Sequence, residues 1–520
     1  MYLVTAAEMQ AMDRQTIESF GTPGQVLMEN AGLGATRVLL NNFHDLGNKT
    51  VGVIAGRGNN GGDGFVIARY LAESGITATV YLLAKKNTVK GDAAANLKLL
   101  PPLGIPVIEM PDKKSFLKHQ TALRHPHIWV DALLGTGLKS DVKGYFKEVI
   151  EFINNSNKPV LAVDIPSGLD SDTGLPCGVC IRAHSTATFA FAKIGHFLFP
   201  GADYTGNLEI IDIGIPPHIV EEVGCRQQLL TPDMISNAFL PRPSDAHKGH
   251  TGHILVVAGS PGKTGAAAMT ALSAMRAGAG LVTVGIPKSL NTALEPQVIE
   301  AMTCPLPETK AGTLGDTAFN IIMDQVADKK CLALGPGLGT APETQKLVLR
   351  IIKESPTALV VDADGLNCLA GHTRILKQLS VPAILTPHPG EMARLVNSTA
   401  GNVQKDRITC ARDFAAKFNV HIVLKGARTV IAHPDGKVFI NPTGNSGMAS
   451  GGMGDVLTGL IAGFIAQGYA PESAAHLGVY LHGAAANDLA QKSGPFGYLA
   501  TEVMNVIPQQ IKKFVNWNEF

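Results

Sequence analysis

Cysteine is scarce, with seven in 520 residues, odd in number and scattered. That excludes the disulfide framework of a small secreted scaffold and fits a reducing, cytoplasmic compartment. Cys177-Gly-Val-Cys180 has redox spacing. It follows a turn, however, and no second Cys-x-x-Cys accompanies it to hold zinc, so the spacing reads as incidental. Neither sign of charge is in excess: 44 Lys and Arg face 43 Asp and Glu, a net +1. There is no basic footprint for nucleic acid. No apolar run approaches the ~20 residues that span a bilayer, so no membrane partner is expected. Residues 1–10 lack the basic start and apolar core of a secretory signal and the Arg-rich character of a transit peptide.

What is present is ordinary globular composition, 45% hydrophobic and 17% charged, over a length too great for one core. The 56 glycines gather in short clusters between apolar runs, which is how α/β proteins with backbone-lined ligand loops read. Residues 1–40 read as helical. Strands are predicted at 51–55, 78–83, 128–133, 160–164, 186–191 and 208–212. Most are continuous apolar runs ended by glycine or a polar turn, as in a mostly parallel sheet covered on both faces. Ile215-Pro-Pro217, Leu230-Thr-Pro232 and Leu240-Pro-Arg-Pro243 break the pattern and read as a linker. The boundary is placed at 225, giving domains 1–225 and 226–520. A second α/β series follows, with strands at 254–258, 281–286, 331–334, 359–362, 384–386 and 422–425. The halves share no internal repeat.

The densest motif is Asn445-Ser-Gly-Met-Ala-Ser-Gly-Gly-Met-Gly-Asp455, followed by apolar positions 456, 457, 460, 461, 464 and 465 on one helical face. A glycine loop that opens a helix offers free N–H groups and the positive dipole end to an anion. Asp455 in the first turn can take a proton from a hydroxyl while those groups hold a phosphoryl. The plainer reading is Asp as a helix-start residue. Other strand ends of the second half carry Ala258-Gly-Ser-Pro-Gly-Lys-Thr-Gly-Ala266, Gly335-Pro-Gly-Leu-Gly339, Thr386-Pro-His-Pro-Gly-Glu391 and Leu424-Lys-Gly-Ala-Arg-Thr-Val430. Gly262-Lys-Thr264 mimics the tail of a P-loop, but Val257 stands where the P-loop needs glycine. His388 between prolines can meet substrate, Glu391 can orient magnesium through water, and Lys425 and Arg428 can neutralise phosphates.

In the first half, Gly56-Arg-Gly-Asn-Asn-Gly-Gly-Asp-Gly64 joins a strand to a helix. Asp131 lies in or beside a glycine loop, and Asp164 ends an apolar strand, followed by Ile-Pro-Ser167. In a parallel sheet such strand ends converge on one crevice. Asp164 can serve there as acid or base, and Asn60, Asp131 and Ser167 offer hard oxygens to a cation.

These first-half motifs, with Asp172-Thr-Gly174 and Lys193-Ile-Gly195, resemble the NAD(P)H-hydrate epimerases over residues 1–220. Gly452-Met-Gly-Asp455, with the other second-half motifs and Asp362-Ala-Asp-Gly-Leu-Asn367, resembles the ribokinase-like superfamily. Within it the likeness is to the nucleotide-dependent NAD(P)H-hydrate dehydratases, over residues 230–515. The two together resemble the bifunctional nicotinamide nucleotide repair proteins. The resemblance implies a two-domain α/β chain, an N-terminal Rossmann-like sheet followed by a ribokinase-like domain.

It also implies roles. Asn59, Asn60, Gly61, Gly62, Asp63, Gly135, Thr136, Gly137, Leu138, Lys139, Ser140 and Asp141 would contact the hydrated nucleotide. Asp164 would handle the proton chemistry, and Asn60, Asp131 and Ser167 would hold potassium. In the second domain Asp455 would be the base. Ala266, Gly339 and His388 would meet substrate, and Lys425, Gly426, Ala427, Arg428, Thr429 and Gly454 would hold ADP, with magnesium. The expected partners are NAD(P)H-hydrate, ADP and further copies of the chain. A rival reading is a ribokinase-like kinase of a small alcohol, such as a vitamin precursor, with a non-catalytic N-terminal binding domain.

Overall fold

The computed structural model describes residues 1–138 and 140–515. It divides into two compact units, Tyr2–Gln227 and residue 228 onward. Among the described residues no helix is long and apolar enough to cross a membrane.

The first unit is built on a seven-stranded sheet. Its strands lie side by side in the order Val107–Glu109, Thr77–Leu82, Thr50–Ala55, Ile128–Ala132, Val160–Val163, Ser185–Phe189, Asn207–Ile211, and every neighbouring pair is parallel. Successive side chains point to opposite faces. Val51, Val53 and Ala55 pack with Leu27, Ala35 and Phe65 on one face. Ile54 packs with Trp129, Ile150 and Ile153 on the other. The chain leaves Thr50–Ala55 in one direction across the sheet and returns to Ile128–Ala132 on its other side. That reversal opens a crevice at the carboxyl ends of these two strands, flanked by the loops after Ala55 and Ala132.

The second unit repeats the plan. Met302–Leu306, Leu281–Pro287, His253–Val257, Cys331–Leu334, Ala358–Val361, Ala383–Leu385 and His421–Leu424 are parallel in that order. Val430–Ala432 and Val438–Ile440 extend the sheet antiparallel. The reversal here falls between His253–Val257 and Cys331–Leu334. Helix Met453–Ala466 is buried over most of its length. It lies so close to helix Thr264–Arg276 that a Cβ added at Gly459 would sit 2.0 Å from Ser273 Oγ and 2.1 Å from Thr270 O.

Of the proline-rich segments expected to form a linker, two open helices, while Leu240-Pro-Arg-Pro243 carries neither helix nor strand. Pro217 opens helix Pro217–Val223, and Pro232 opens Pro232–Ala238 behind a Thr231 cap. Proline at the first helical position lacks only an N–H that would be orphaned anyway. Several short strands were not foreseen. The hairpin of Val430–Ala432 and Val438–Ile440 turns at His433-Pro-Asp-Gly436, a turn signal that the sequence carries.

Candidate active sites

In the first unit a cavity of about 1230 Å³ lies over the reversal point. Asn59, Asn60, Asp63, Gly135, Thr136, Gly137, Leu138, Ser140 and Asp164 line it. Gly61 and Gly62 stand outside that lining, where the backbone packs closely. A Cβ at Gly61 would lie 2.0 Å from Gly56 O, and one at Gly62 would lie 2.7 Å from the Met28 side chain. Asp141 stands outside the lining, beside Gly178. Lys139 lies outside the described residues.

Strand Val160–Val163 stops one residue short of Asp164, which takes a left-handed backbone with φ 64°. For a residue other than glycine this costs about 1–2 kcal/mol. The turn is held by Asp164 N–H donating to Ala187 O at 2.8 Å and Ile165 N–H to Val163 O at 2.8 Å. It delivers the carboxylate to Lys193 Nζ, Thr188 Oγ1 (3.1 Å) and Phe189 N–H (3.2 Å). The Lys193 side chain is wholly buried. Burial opposes the charge on Asp164, but the Lys193 ammonium outweighs it and holds the carboxyl below its ordinary value. Asp63 behaves in the opposite way: burial and the charges of Asp164 and Asp13 push it well above the carboxylate range. Burial raises Asp13 to about 6. The two carboxyls are thus pushed apart, Asp164 towards the ionised form and Asp63 towards the protonated one, the kind of separation that acid–base chemistry uses.

Asp131, in the middle of the sheet and fully buried, accepts from Ser167 N–H (2.7 Å), Ser167 Oγ (2.6 Å) and Leu133 N–H (3.3 Å). No cationic side chain is among these partners, and burial raises it to about 6. Asn60 lies by the same loop, its side chain within 3.4 Å of where a Gly135 Cβ would be. Its buried amide nitrogen has no hydrogen-bond partner. Asn oxygen and nitrogen positions are interchangeable assignments, so this end of the amide can equally present its oxygen. A buried carboxylate, a hydroxyl and an amide oxygen suit a hard monovalent cation.

In the second unit the strand ends are knit by two acids around Ala363, whose φ of 50° is again left-handed. Asp362 accepts from Lys425 Nζ at 2.5 Å and Thr458 Oγ1 at 2.8 Å. Asp364 accepts from Gly339 N–H at 2.8 Å and Lys263 Nζ at 3.0 Å. Gly335 must be glycine: with φ 127°, an added Cβ would lie 1.9 Å from Asp362 O. Ala266 borders the same loops, 3.2 Å from where a Gly337 Cβ would be.

Asp455 sits in the first turn of helix Met453–Ala466, half-buried, with its carbonyl bonded by Thr270 Oγ1 at 3.2 Å. Burial and then repulsion from Asp362 raise its carboxyl to about 6, against the pull of Lys425. Gly454 adjoins the Lys425–Asp362 pair, since a Cβ there would lie 3.3 Å from Lys425 Nζ. Glu391 is 3.9 Å from Lys425 Nζ and accepts from His388 N–H at 2.8 Å. His388 caps its helix through Nδ1, and its side chain is 51% exposed. Lys425 is thus already committed to acids, and Arg428 is turned to the Pro442 carbonyl. The Thr429 hydroxyl bonds Gly426 O at 3.2 Å.

Two supports had no role in the sequence reading. Lys193 was visible only as a residue of a motif, although a lysine in an apolar strand is itself a signal. Arg407, nine-tenths buried, donates to Ala427 O (2.6 Å) and Leu424 O (3.0 Å), fixing the loop of Lys425, Gly426 and Ala427. Nothing local in sequence marks it.

The NAD(P)H-hydrate dehydratase family matches residues 254–509, and the family of YjeF-related protein N-termini matches 24–195. The chain is 43% identical over 513 residues to a bifunctional NAD(P)H-hydrate repair enzyme of Moorella thermoacetica, covering 98% of this chain and 97% of that one. It is 37% identical over 522 residues to the enzyme of the same description in Salinibacter ruber, covering 98% and 95%. Among solved structures, the ADP/ATP-dependent NAD(P)H-hydrate dehydratase of Bacillus subtilis, co-crystallised with ATP and Mg2+, aligns at 32% identity with a TM-score of 0.48. That alignment covers 55% of this chain and 99% of that one.

Proposed function

The chain belongs to the bifunctional NAD(P)H-hydrate repair enzymes, and on that footing we propose that Asp164 carries epimerisation in the first unit and Asp455 carries dehydration in the second. The protein epimerises NAD(P)H-hydrate and dehydrates it in a nucleotide-dependent reaction. Damaged NADH or NADPH carries water across a ring double bond, in two epimers at the hydroxylated carbon. The first unit interconverts them, so that a second unit selective for the S epimer consumes both.

In the first unit Asp164, held towards its ionised form, would accept a proton, and Asp63, pushed towards its protonated form, would return one. Potassium would be held by Asn60, Asp131 and Ser167 and would supply the charge that the buried Asp131 carboxylate lacks. The cavity residues Asn59, Gly135, Thr136, Gly137, Leu138 and Ser140 bind the dinucleotide.

In the second unit the substrate hydroxyl attacks the terminal phosphorus of ADP as Asp455 takes its proton, and AMP leaves. The phosphate ester then departs as inorganic phosphate, and loss of a ring proton restores the double bond. The free N–H groups around Gly454 face the phosphoryl group. Gly426, Ala427 and Thr429 hold the nucleotide, with Lys425 and Arg428 lending charge. His388 meets the substrate, with Ala266 and Gly339 beside it. Magnesium would be oriented by Glu391 and would neutralise phosphate charge.

The observation that supports this reading most is Asp455 at a glycine-opened helix start beside the Lys425–Asp362 pair. The test incubates the protein with the S epimer and ADP, then with ATP, and identifies the products. NADH, AMP and inorganic phosphate support the reading. A stable phosphorylated alcohol would favour the small-alcohol kinase.

A further inference from the structure

At the amino end of strand His421–Leu424 three histidines and a glutamate converge, with no part in either reaction. His421 and His433 flank the paired positions Ile422 and Ala432 of the antiparallel hairpin. Glu472 and His476 are four residues apart on helix Pro471–Ser493, and so share a face. His433 Nε2 is 3.0 Å from His476 Nε2 and 4.0 Å from Glu472 Oε1. These three ligand atoms all lie within 4.8 Å of one another. From the second side, His433 Nδ1 lies 2.7 Å from His421 Nδ1. The Phe439 ring covers the group, its centroid 4.3 Å from that of His476.

We propose that His433, His476 and Glu472 bind a transition-metal dication, Zn2+ foremost, with His421 as the partner that orients His433. Donors around tetrahedral zinc, each about 2.0–2.1 Å from the metal, stand roughly 3.3 Å apart. The two imidazoles nearly meet that spacing already, and Glu472, half-exposed on a flexible stem, closes the third side. Metal-bound imidazoles give their other N–H to an acceptor, and His421 Nδ1 is in place to receive it. Two nitrogens and one carboxylate favour zinc, copper, nickel or cobalt over magnesium. The site is also apart from the nucleotide chemistry, because Lys425 follows the opposite end of the same strand, about 13 Å away at ~3.3 Å per residue. An ion here ties the hairpin edge to helix Pro471–Ser493. Gly478 of that helix packs on Ile461 of the helix that carries Asp455.

The experiment uses the full chain without an affinity tag, stripped by chelator and dialysed, then titrated with Zn2+ by calorimetry and with Co2+ by its visible spectrum. One ion per chain with micromolar or tighter affinity, a tetrahedral cobalt spectrum and a higher Tm are expected. Glu472→Gln, on a half-exposed side chain that folding does not need, should weaken binding at least about tenfold, and His421→Phe about 10–100-fold. Dehydration at saturating Mg2+ should be unchanged in Glu472→Gln. Absence of binding below ~100 µM would overturn the proposal, as would an affinity that neither Glu472→Gln nor His476→Gln alters.

Discussion

Acid should switch off dehydration far above the range of an ordinary aspartate. As the proposed base Asp455 would act only when ionised, and burial with the Asp362 charge lifts its carboxyl to about 6. From pH 7 to pH 5 its ionised fraction falls from roughly 91% to roughly 9%, so kcat/KM should drop about tenfold. An aspartate near ~3.9 would lose less than about a tenth over the same interval. The nucleotide phosphate also titrates near ~6, so the limb alone does not identify its owner. Asp364→Asn separates the two. Asp364 is one of the charges that raise Asp455, and its loss also releases Lys263. Both effects move the limb to lower pH, by a fraction of a unit, whereas the nucleotide's own ionisation stays put. Asparagine keeps an oxygen for the Gly339 N–H. The assay is phosphate release from ADP with purified S epimer, corrected for the enzyme-free reaction at each pH. A rate flat from pH 7 to pH 5, or a limb that Asp364→Asn leaves unmoved, would refute the assignment.

Lys193→Met should abolish epimerisation and leave dehydration of the S epimer intact; it strands the Asp164 carboxylate and costs about 3–5 kcal/mol in urea unfolding of the first unit. Arg407→Met removes the donors to Ala427 O and Leu424 O, so the KM for ADP should rise several-fold with kcat less affected, at a stability cost of about 1–3 kcal/mol. Gly459→Val drives a side chain into Ser273 and Thr270; it should cost at least about 1–3 kcal/mol and remove dehydration while epimer exchange continues.

The sequence was most legible where a motif sits at a strand end. The loops after Ala55 and Ala132 stand together because the chain reverses between these strands, and βα periodicity alone made that convergence foreseeable. Asp455 was legible for a similar reason, as the lone acid opening an apolar helix. What escaped depends on distant partners. The salt bridge from Lys193 to Asp164 links residues 29 positions apart, and Arg407 reaches the Lys425 loop from 17–20 positions away. One packing role of glycine was also hidden: the small size of Gly61 and Gly62 lets a helix start approach Gly56 and Met28. Pro217 and Pro232 misled because proline both breaks elements and starts helices, and only backbone geometry decides which.

In the proposed reaction two separate carboxylates, Asp164 and Asp455, divide the repair. The most direct test gives an equal mixture of both NADH-hydrate epimers, with ADP, magnesium and potassium, to the wild type, Asp164→Asn and Asp455→Asn, and follows NADH recovery and the epimer ratio together. The wild type should recover NADH fully. Asp164→Asn should recover the S half and then slow to the uncatalysed rate of exchange. Asp455→Asn should recover almost nothing, about 10²–10⁴-fold slower, while still equilibrating the epimers. Complete recovery by Asp164→Asn, or loss of both activities from either folded variant, would contradict it.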